Sequence, residues 1–364
     1  MPATRNSRIE ALRIVAMIAI VAHHYTVHGG VQDHTASAGT AIVLSSIGAF
    51  GKWGVDVFVL VSAFFMDRAP RRGKSLSSVY SQVLPVSWLI LLTAAIVGIH
   101  LSPRDIQKGL FPVVFGEYWF VTSFVVLVLI APYLSMVADA LTARQHRRLL
   151  LAGIALWSVL TLTDGVRLEI SNLAWFALLY LMAAYVRRYP LPGDARLWGI
   201  VTIASAVLLA ALPPLLASAL IARGSAPATV GWVMDVHASA ESPLAVASAL
   251  AIVVWATKAR PWASGVVNYW AAAAFGVYLI HDNPLVRRFV WDRFVDTSAA
   301  AGQWWLPLHA VAWTLAIYVA CSLVIFALQP TVFRATHAVT ERARVRIEAR
   351  LARPDAAEGA PAQS

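Results

Sequence analysis

The chain has 364 residues, of which 59% are hydrophobic and 13% charged. Soluble chains carry roughly 25% charged residues, so the composition excludes an ordinary soluble domain, and the apolar residues come in blocks. The net charge of +10 is explained by anionic lipid at an inner leaflet and calls for no nucleic acid.

A helix needs about 20 apolar residues to cross the roughly 30 Å hydrocarbon core. In chain order, apolar blocks run over 11–28, 40–66, 79–99, 118–138, 149–162, 173–186, 197–221, 243–257, 262–281 and 304–328. The fifth, sixth and eighth are short, about 21 to 23 Å at about 1.5 Å per residue. Charge supports all ten. With the N-terminus inside, the inner segments hold 21 Lys and Arg, the outer ones seven, and Lys52 lies within a span. A threefold excess repeated at every inner segment is the positive-inside pattern. The expected fold is therefore an all-α polytopic membrane protein of about ten transmembrane helices, with both termini cytoplasmic.

One membrane domain is expected over 5–330, followed by a basic cytoplasmic tail over 331–364. The arginines from Arg334 to Arg353 suit an amphipathic helix on the inner leaflet, and the Ala/Pro/Glu-rich end is expected to be disordered. Arg5 and Arg8 precede the first apolar run, but Glu10, Arg13 and two histidines interrupt it, so an uncleaved span is expected rather than a signal peptide. The lone Cys321 excludes an intrachain disulfide and a cysteine-based metal cluster.

Ionisable residues within spans cost at least about 2.5 kcal/mol each and are functional candidates. On a helical wheel Arg13 and His24 differ by about 20°, with Glu10 and His28 about 40° to either side of His24. These four form one polar stripe that must face the protein interior or a water-filled cavity, while His23 points about 100° away. Arginine suits a phosphate, and a neutral histidine suits proton abstraction from a hydroxyl. The alternative is that Glu10 and Arg13 only pair, and that His24 donates to a backbone carbonyl. Lys52 and Asp56, four residues apart, share a helix face and either neutralise each other or reach the first helix. His281, Asp282 and Asn283 either converge with His24 and His28 or cap a helix at the interface. Glu117, Tyr118 and Trp119 open the fourth span, where aromatics are enriched for interfacial reasons. Gly48, Gly51 and Gly54 permit close helix approach. There is no phosphate-binding glycine loop, His-Glu-x-x-His or Gly-x-Ser-x-Gly. These residues leave open a proton-coupled transporter, a membrane acyl or glycosyl transferase, or a channel-like scaffold.

The order of local sequences resembles the integral-membrane acyltransferase-3 family, in particular its sugar and polysaccharide O-acetyltransferase-like members of Gram-positive bacteria. Arg5-Asn6-Ser7-Arg8-Ile9-Glu10-Ala11-Leu12-Arg13 followed by His23-His24-Tyr25 is similar to the family's first helix, and Gly51-Lys52-Trp53-Gly54-Val55-Asp56 to its second. Tyr118-Trp119-Phe120 resembles the fourth, Glu241-Ser242-Pro243 the start of the eighth, and Phe275-Gly276-Val277-Tyr278-Leu279-Ile280-His281-Asp282-Asn283 the ninth. The chain departs from the family pattern at Ser78, Val79 and Gln82, where many members carry Arg-x-x-Arg. It departs also at Phe124, where O-antigen-type members carry Glu, and at Ala63, where glycine is usual.

The resemblance implies transfer of an acyl group, usually acetyl, from cytoplasmic acyl-CoA to a carbohydrate hydroxyl on or beyond the membrane. It maps the family's arginine and histidine onto Arg13 and His24, with Glu10 as the preceding acid. His24 is then the base or acyl relay. Arg13 and Glu10, with the nearby Arg68, Arg71, Arg72 and Lys74, bind CoA. Asp56, His28, Trp119, His281, Asp282 and Asn283 are expected to bind substrate or support the site. No metal and no permanently bound cofactor is expected, acetyl-CoA or another acyl-CoA being a donor substrate. The expected partners are acyl-CoA, the lipid bilayer and a carbohydrate acceptor (polysaccharide, glycolipid or lipid-linked glycan), in a bacterial plasma membrane. The other function class is a proton-coupled transporter or flippase-like carrier of a glycan or small solute.

Overall fold

The computed structural model describes residues 6–29, 38–67, 72–163, 170–295, 297 and 299–351. Arg68, Arg71, Arg353 and the expected disordered end lie outside these. Regular structure among the described residues is helical throughout. It comprises α1 (Ser7–His28), α2 (Ala38–Met66), α3 (Arg72–Ile96), α4 (Pro103–Leu110), α5 (Trp119–Ala140), α6 (Ala143–Ile154), α7 (Asn172–Arg188), α8 (Ala195–Ala222), α9 (Pro227–Ala238), α10 (Pro243–Lys258), α11 (Gly265–His281), α12 (Pro284–Phe289), α13 (Leu306–Leu328) and α14 (Arg334–Leu351).

Local chemistry sets many of the helix starts. The Asn6 side chain accepts from the Arg8 backbone N–H at the head of α1, and Ser102 with Asp105 forms a capping box at α4. Thr142 with Gln145 does the same at α6, while proline opens α9, α10 and α12. Such partners satisfy N–H groups that the first helical turn leaves free.

Among the described residues, seven helical stretches are long and apolar enough to cross a membrane: Ser7–His28, Val43–Met66, Lys74–Ile96, Trp119–Ala140, Ala195–Ala222, Ala228–Lys258 and Leu306–Arg350. The others are shorter. The helices α7 and α11 have 17 residues each, about 25 Å of rise. The block expected over 262–281 is trimmed because Ser264, not Trp262, caps α11. The block over 149–162 is an α-helix that passes into a π turn at Ala155–Val159 and a 3-10 turn at Leu160–Leu162. Large apolar side chains stay exposed on outer faces, such as Ile203 and Leu215 on α8 and Leu308 and Leu323 on α13. That pattern suits lipid as the surrounding solvent.

The core is built around α1. At Gly54 an added Cβ would lie 2.5 Å from the Ala16 carbonyl oxygen, and at Gly51 2.1 Å from the Cβ of His23. The glycine stripe of α2 is therefore what lets α1 approach so closely. On its other side α1 runs parallel to α11 in fixed register. The Ser7 N–H donates to the Trp262 carbonyl at 2.9 Å, and the Ser264 N–H donates to Ser7 Oγ at 2.7 Å. Seventeen residues further along both helices, His24 meets His281.

At the Arg13 end, Arg188 of α7 bonds Asp67 after α2 and Asp139 of α5, tying three helices through the fully buried Asp67. The helix α13 continues through a π turn at Gln329–Phe333 into α14. The tail helix lies antiparallel on α3, with Thr336 donating to the Ser81 carbonyl at 2.7 Å and Ser77 donating to Thr340 Oγ1 at 2.9 Å.

Candidate functional site

The polar stripe of α1 divides into two ends. At the first, Arg13 Nη1 donates to both carboxylate oxygens of Glu10, at 3.1 and 3.2 Å. Arg13 and Lys74 line a cleft of about 460 Å³ between α1, α2, α3, α5 and α11. Arg72 is the first residue of α3. Ser78, Val79 and Gln82 of α3 and Phe124 of α5 also line this cleft, so these four departures from the family pattern fall in one cavity. Among the described residues, Arg13 and Lys74 are the cationic side chains that line it.

At the second end the hydrogen bonds assign tautomers. His281 Nδ1 lies 2.6 Å from the Val277 carbonyl one turn earlier. A carbonyl only accepts, so that nitrogen carries the proton, and the neutral ring offers Nε2 as an acceptor. His24 Nδ1 sits 2.9 Å from that Nε2 and must be the donor. His24 Nε2 is then left unprotonated, as the basic atom of the ring. Asp282 Oδ1 lies 3.6 Å from His24 Nδ1, and Arg287 Nη1 reaches Asp282 Oδ1 at 3.4 Å and His28 Nε2 at 3.0 Å. Burial pushes the Asp282 carboxyl up to about 6, with the Arg287 charge pulling the other way. His28 is thereby held as an acceptor at Nε2, with its ring centroid 5.1 Å from that of His24.

His24, His28 and Asp282 bring ligand-type atoms within 4.8 Å of one another, a grouping able to hold a cation. The Arg287 guanidinium already reaches two of the three, so the chain itself supplies positive charge there.

His24 lines a chamber of about 40 Å³ with His23, Lys52, Trp119 and Tyr278. Trp119 carries Lys52 over its ring, Nζ lying 4.8 Å from the centroid. Three phenylalanines, Phe58, Phe120 and Phe275, line both this chamber and the Arg13 cleft.

Some sequence expectations are corrected. His23 does not face away from the site: it lines the same chamber as His24, their ring centroids 5.9 Å apart. A wheel gives directions from one axis, whereas this chamber is walled by α1, α2, α5 and α11 and spans the sectors of two adjacent residues of α1. His23 Nδ1 donates to the Gly48 carbonyl at 3.0 Å. Lys52 and Asp56 do not pair. Asp56 Oδ1 instead accepts from Trp175 Nε1 at 3.0 Å, its Oδ2 has no hydrogen-bond partner, and Asp56 lines neither the chamber nor the cleft. Asn283 is buried with its side chain committed: Oδ1 accepts from the Leu285 N–H at 3.0 Å to cap α12, and Nδ2 donates to Tyr118 Oη at 2.9 Å.

Sequence reasoning gave no role to Arg287 or to the three phenylalanines. Arg287 carries one signal that pointed to it: a basic residue just past His281-Asp282-Asn283, on the side where the charge rule disfavours it. The phenylalanines carry none, since apolar residues in apolar spans do not stand out.

The family model described as an acyltransferase domain matches residues 6–329. No curated protein and no solved structure matches the chain. The family match spans nearly the whole helical bundle and both ends of the polar stripe, and the chain belongs to the acyltransferase-3 family of membrane acyltransferases.

Proposed function

We propose that the chain moves an acyl group, acetyl in the simplest case, from cytoplasmic acyl-CoA to a hydroxyl of a cell-envelope carbohydrate in a bacterial plasma membrane. The observation that carries this reading is the pair of cavities with a shared wall: a cleft holding Arg13 and Lys74, and a chamber holding His24. Arg13, with Lys74 and the neighbouring Arg68, Arg71 and Arg72, holds the CoA phosphates, and Glu10 orients the Arg13 guanidinium. His24 Nε2 takes the proton of the acceptor hydroxyl as its oxygen attacks the thioester carbonyl, and CoA leaves as the thiol after reprotonation. In the relay variant, Nε2 itself accepts the acyl group from the thioester and passes it to the hydroxyl. Both routes need an unprotonated Nε2 and form positive charge on the ring, which Asp282 at 3.6 Å balances. Lys52 offers a positive charge to the carbonyl oxygen as it becomes anionic. His28, His281, Asn283 and Trp119 hold the chamber in shape, and Asp56 fixes Trp175 behind it.

The Arg13 end then faces the cytoplasm, with ten crossings and both termini inside. The 21-to-seven basic asymmetry and the parallel course of α1 and α11 support this, since parallel helices have an odd number of crossings between them and the ten-span reading puts seven between the first and ninth spans. The acyltransferase unit is 5–330, with the basic tail beyond it.

Sealed vesicles test donor site and orientation together. Labelled acetyl-CoA should bind inside-out vesicles carrying the protein and not right-side-out ones. Arg13→Lys, which keeps the charge and loses the bidentate fork, should weaken that binding roughly tenfold, about 1.4 kcal/mol. Unchanged affinity in the Lys variant removes Arg13 from the donor site. Binding confined to right-side-out vesicles overturns the orientation.

A further inference from the structure

The cleft and the chamber meet at Phe58 of α2, Phe120 of α5 and Phe275 of α11. The three rings come from three different helices, and each lines both spaces. Phe120 is fixed there. It meets Phe58 edge-on at 5.8 Å, Phe176 at 5.5 Å and Tyr278 at 5.5 Å, and stacks on Phe124 at 5.7 Å. With Trp119 edge-on at 6.1 Å as well, a ring packed on five aromatic neighbours leaves its position only by disturbing them.

The two spaces differ in size. The cleft is about 460 Å³ and the chamber about 40 Å³. The chamber has less than a tenth of the cleft's volume, so it has room for a small acyl group beside His24 but little for a longer chain. An acetyl group brings three non-hydrogen atoms, its methyl carbon, carbonyl carbon and oxygen. A butanoyl group brings five.

We infer that Phe58, Phe120 and Phe275 form a septum that sets acyl length, seating an acetyl group beside His24 and refusing longer chains. The inference rests on the donor reading above, with the thioester arriving from the Arg13 cleft. It adds the determinant of selectivity. The cleft side has ample room for a long chain, so discrimination arises at the septum and in the chamber. Truncating one ring joins the two spaces and lets a longer chain fold back toward the cleft while its carbonyl still reaches His24.

The test uses the full chain purified in lipid, with acetyl-CoA, butanoyl-CoA and hexanoyl-CoA as donors and kcat/KM as the readout. A misfitting methylene costs roughly tenfold or more, so wild type should favour acetyl over butanoyl by about a hundredfold. At least one of Phe58→Ala, Phe120→Ala and Phe275→Ala should narrow that ratio by about tenfold or more. The corresponding Leu variants, which keep more of the packing, should narrow it in the same direction and serve where an Ala variant fails to insert. A wild-type ratio near one, or inserted variants that bind CoA and keep the wild-type ratio, overturns the septum alone. Wild-type protein that neither binds CoA nor transfers from any donor defeats the donor reading, and the septum falls with it.

Discussion

Asp282 is a buried carboxylate beside the His24 ring, shared between His24 Nδ1 at 3.6 Å and Arg287 Nη1 at 3.4 Å. Its carboxyl is held near about 6 because burial disfavours the charged form more than Arg287 favours it. The sign of the pH effect follows. As pH falls through about 6 the carboxyl takes up a proton, the negative charge beside His24 disappears, and the imidazolium formed during transfer loses its counter-charge. Acylation should therefore fall on the acid side, with Asp282 contributing a step near pH 6. Asp282→Asn lacks that charge at every pH. It should run roughly tenfold to a hundredfold slower near neutrality, the worth of one charge-assisted contact, and its rate profile should lose the step. A wild-type rate with an unchanged acid limb in the Asn variant would remove Asp282 from the mechanism. At this scale the sequence made Arg13, His24, His281 and Asp282 legible, because ionisable side chains in apolar spans stand out. The share of His23 in the chamber was not legible, because a cavity walled by several helices is a property of their packing.

Helix pairing is the next scale, and α1 against α2 is the pairing the site depends on. At Gly54 an added Cβ would meet the Ala16 carbonyl oxygen at 2.5 Å, whereas at Gly48 it would meet the Thr26 hydroxyl at 3.2 Å. Backbone cannot rotate aside as a side chain does, so Gly54→Ala must part the two helices. It should cost about 1–3 kcal/mol by overpacking, with Gly48→Ala costing less. Thermal unfolding of the two variants in detergent should show that order, and equal melting temperatures would mean the stripe does not set the approach. The glycine spacing made this packing legible in advance. The joins between helices were less legible. Pro330 lacks an N–H and crowds the preceding turn. A π turn over Gln329–Phe333 absorbs it, and α13 runs on into α14. Likewise the ninth apolar block reads from Trp262 by hydropathy, yet Ser264 caps the helix and shortens it.

Over the whole molecule, α1 and α11 run in matched register. Their heads are joined at Ser7 and Ser264, and seventeen residues on they bring His24 to His281. That register places Arg13 and His24 in line, about 16 Å apart along α1 at about 1.5 Å per residue, and the cleft of the one meets the chamber of the other at the three phenylalanines. Composition and the order of local motifs made the membrane class and the family legible before any coordinate. The two cavities were not, because they lie between helices and their walls are apolar. On this reading His24 carries the acyl transfer. The most direct measurement is the acyl content of envelope glycans in cells whose only copy of the chain carries His24→Ala, compared with His23→Ala at matched insertion. Loss of a general base costs roughly 10² to 10⁴ in rate, so His24→Ala should reduce acylation to background. His23→Ala should retain most of it, since His23 is tied to the Gly48 carbonyl and lacks the Asp282 support. Near-normal acylation in both variants would contradict the account.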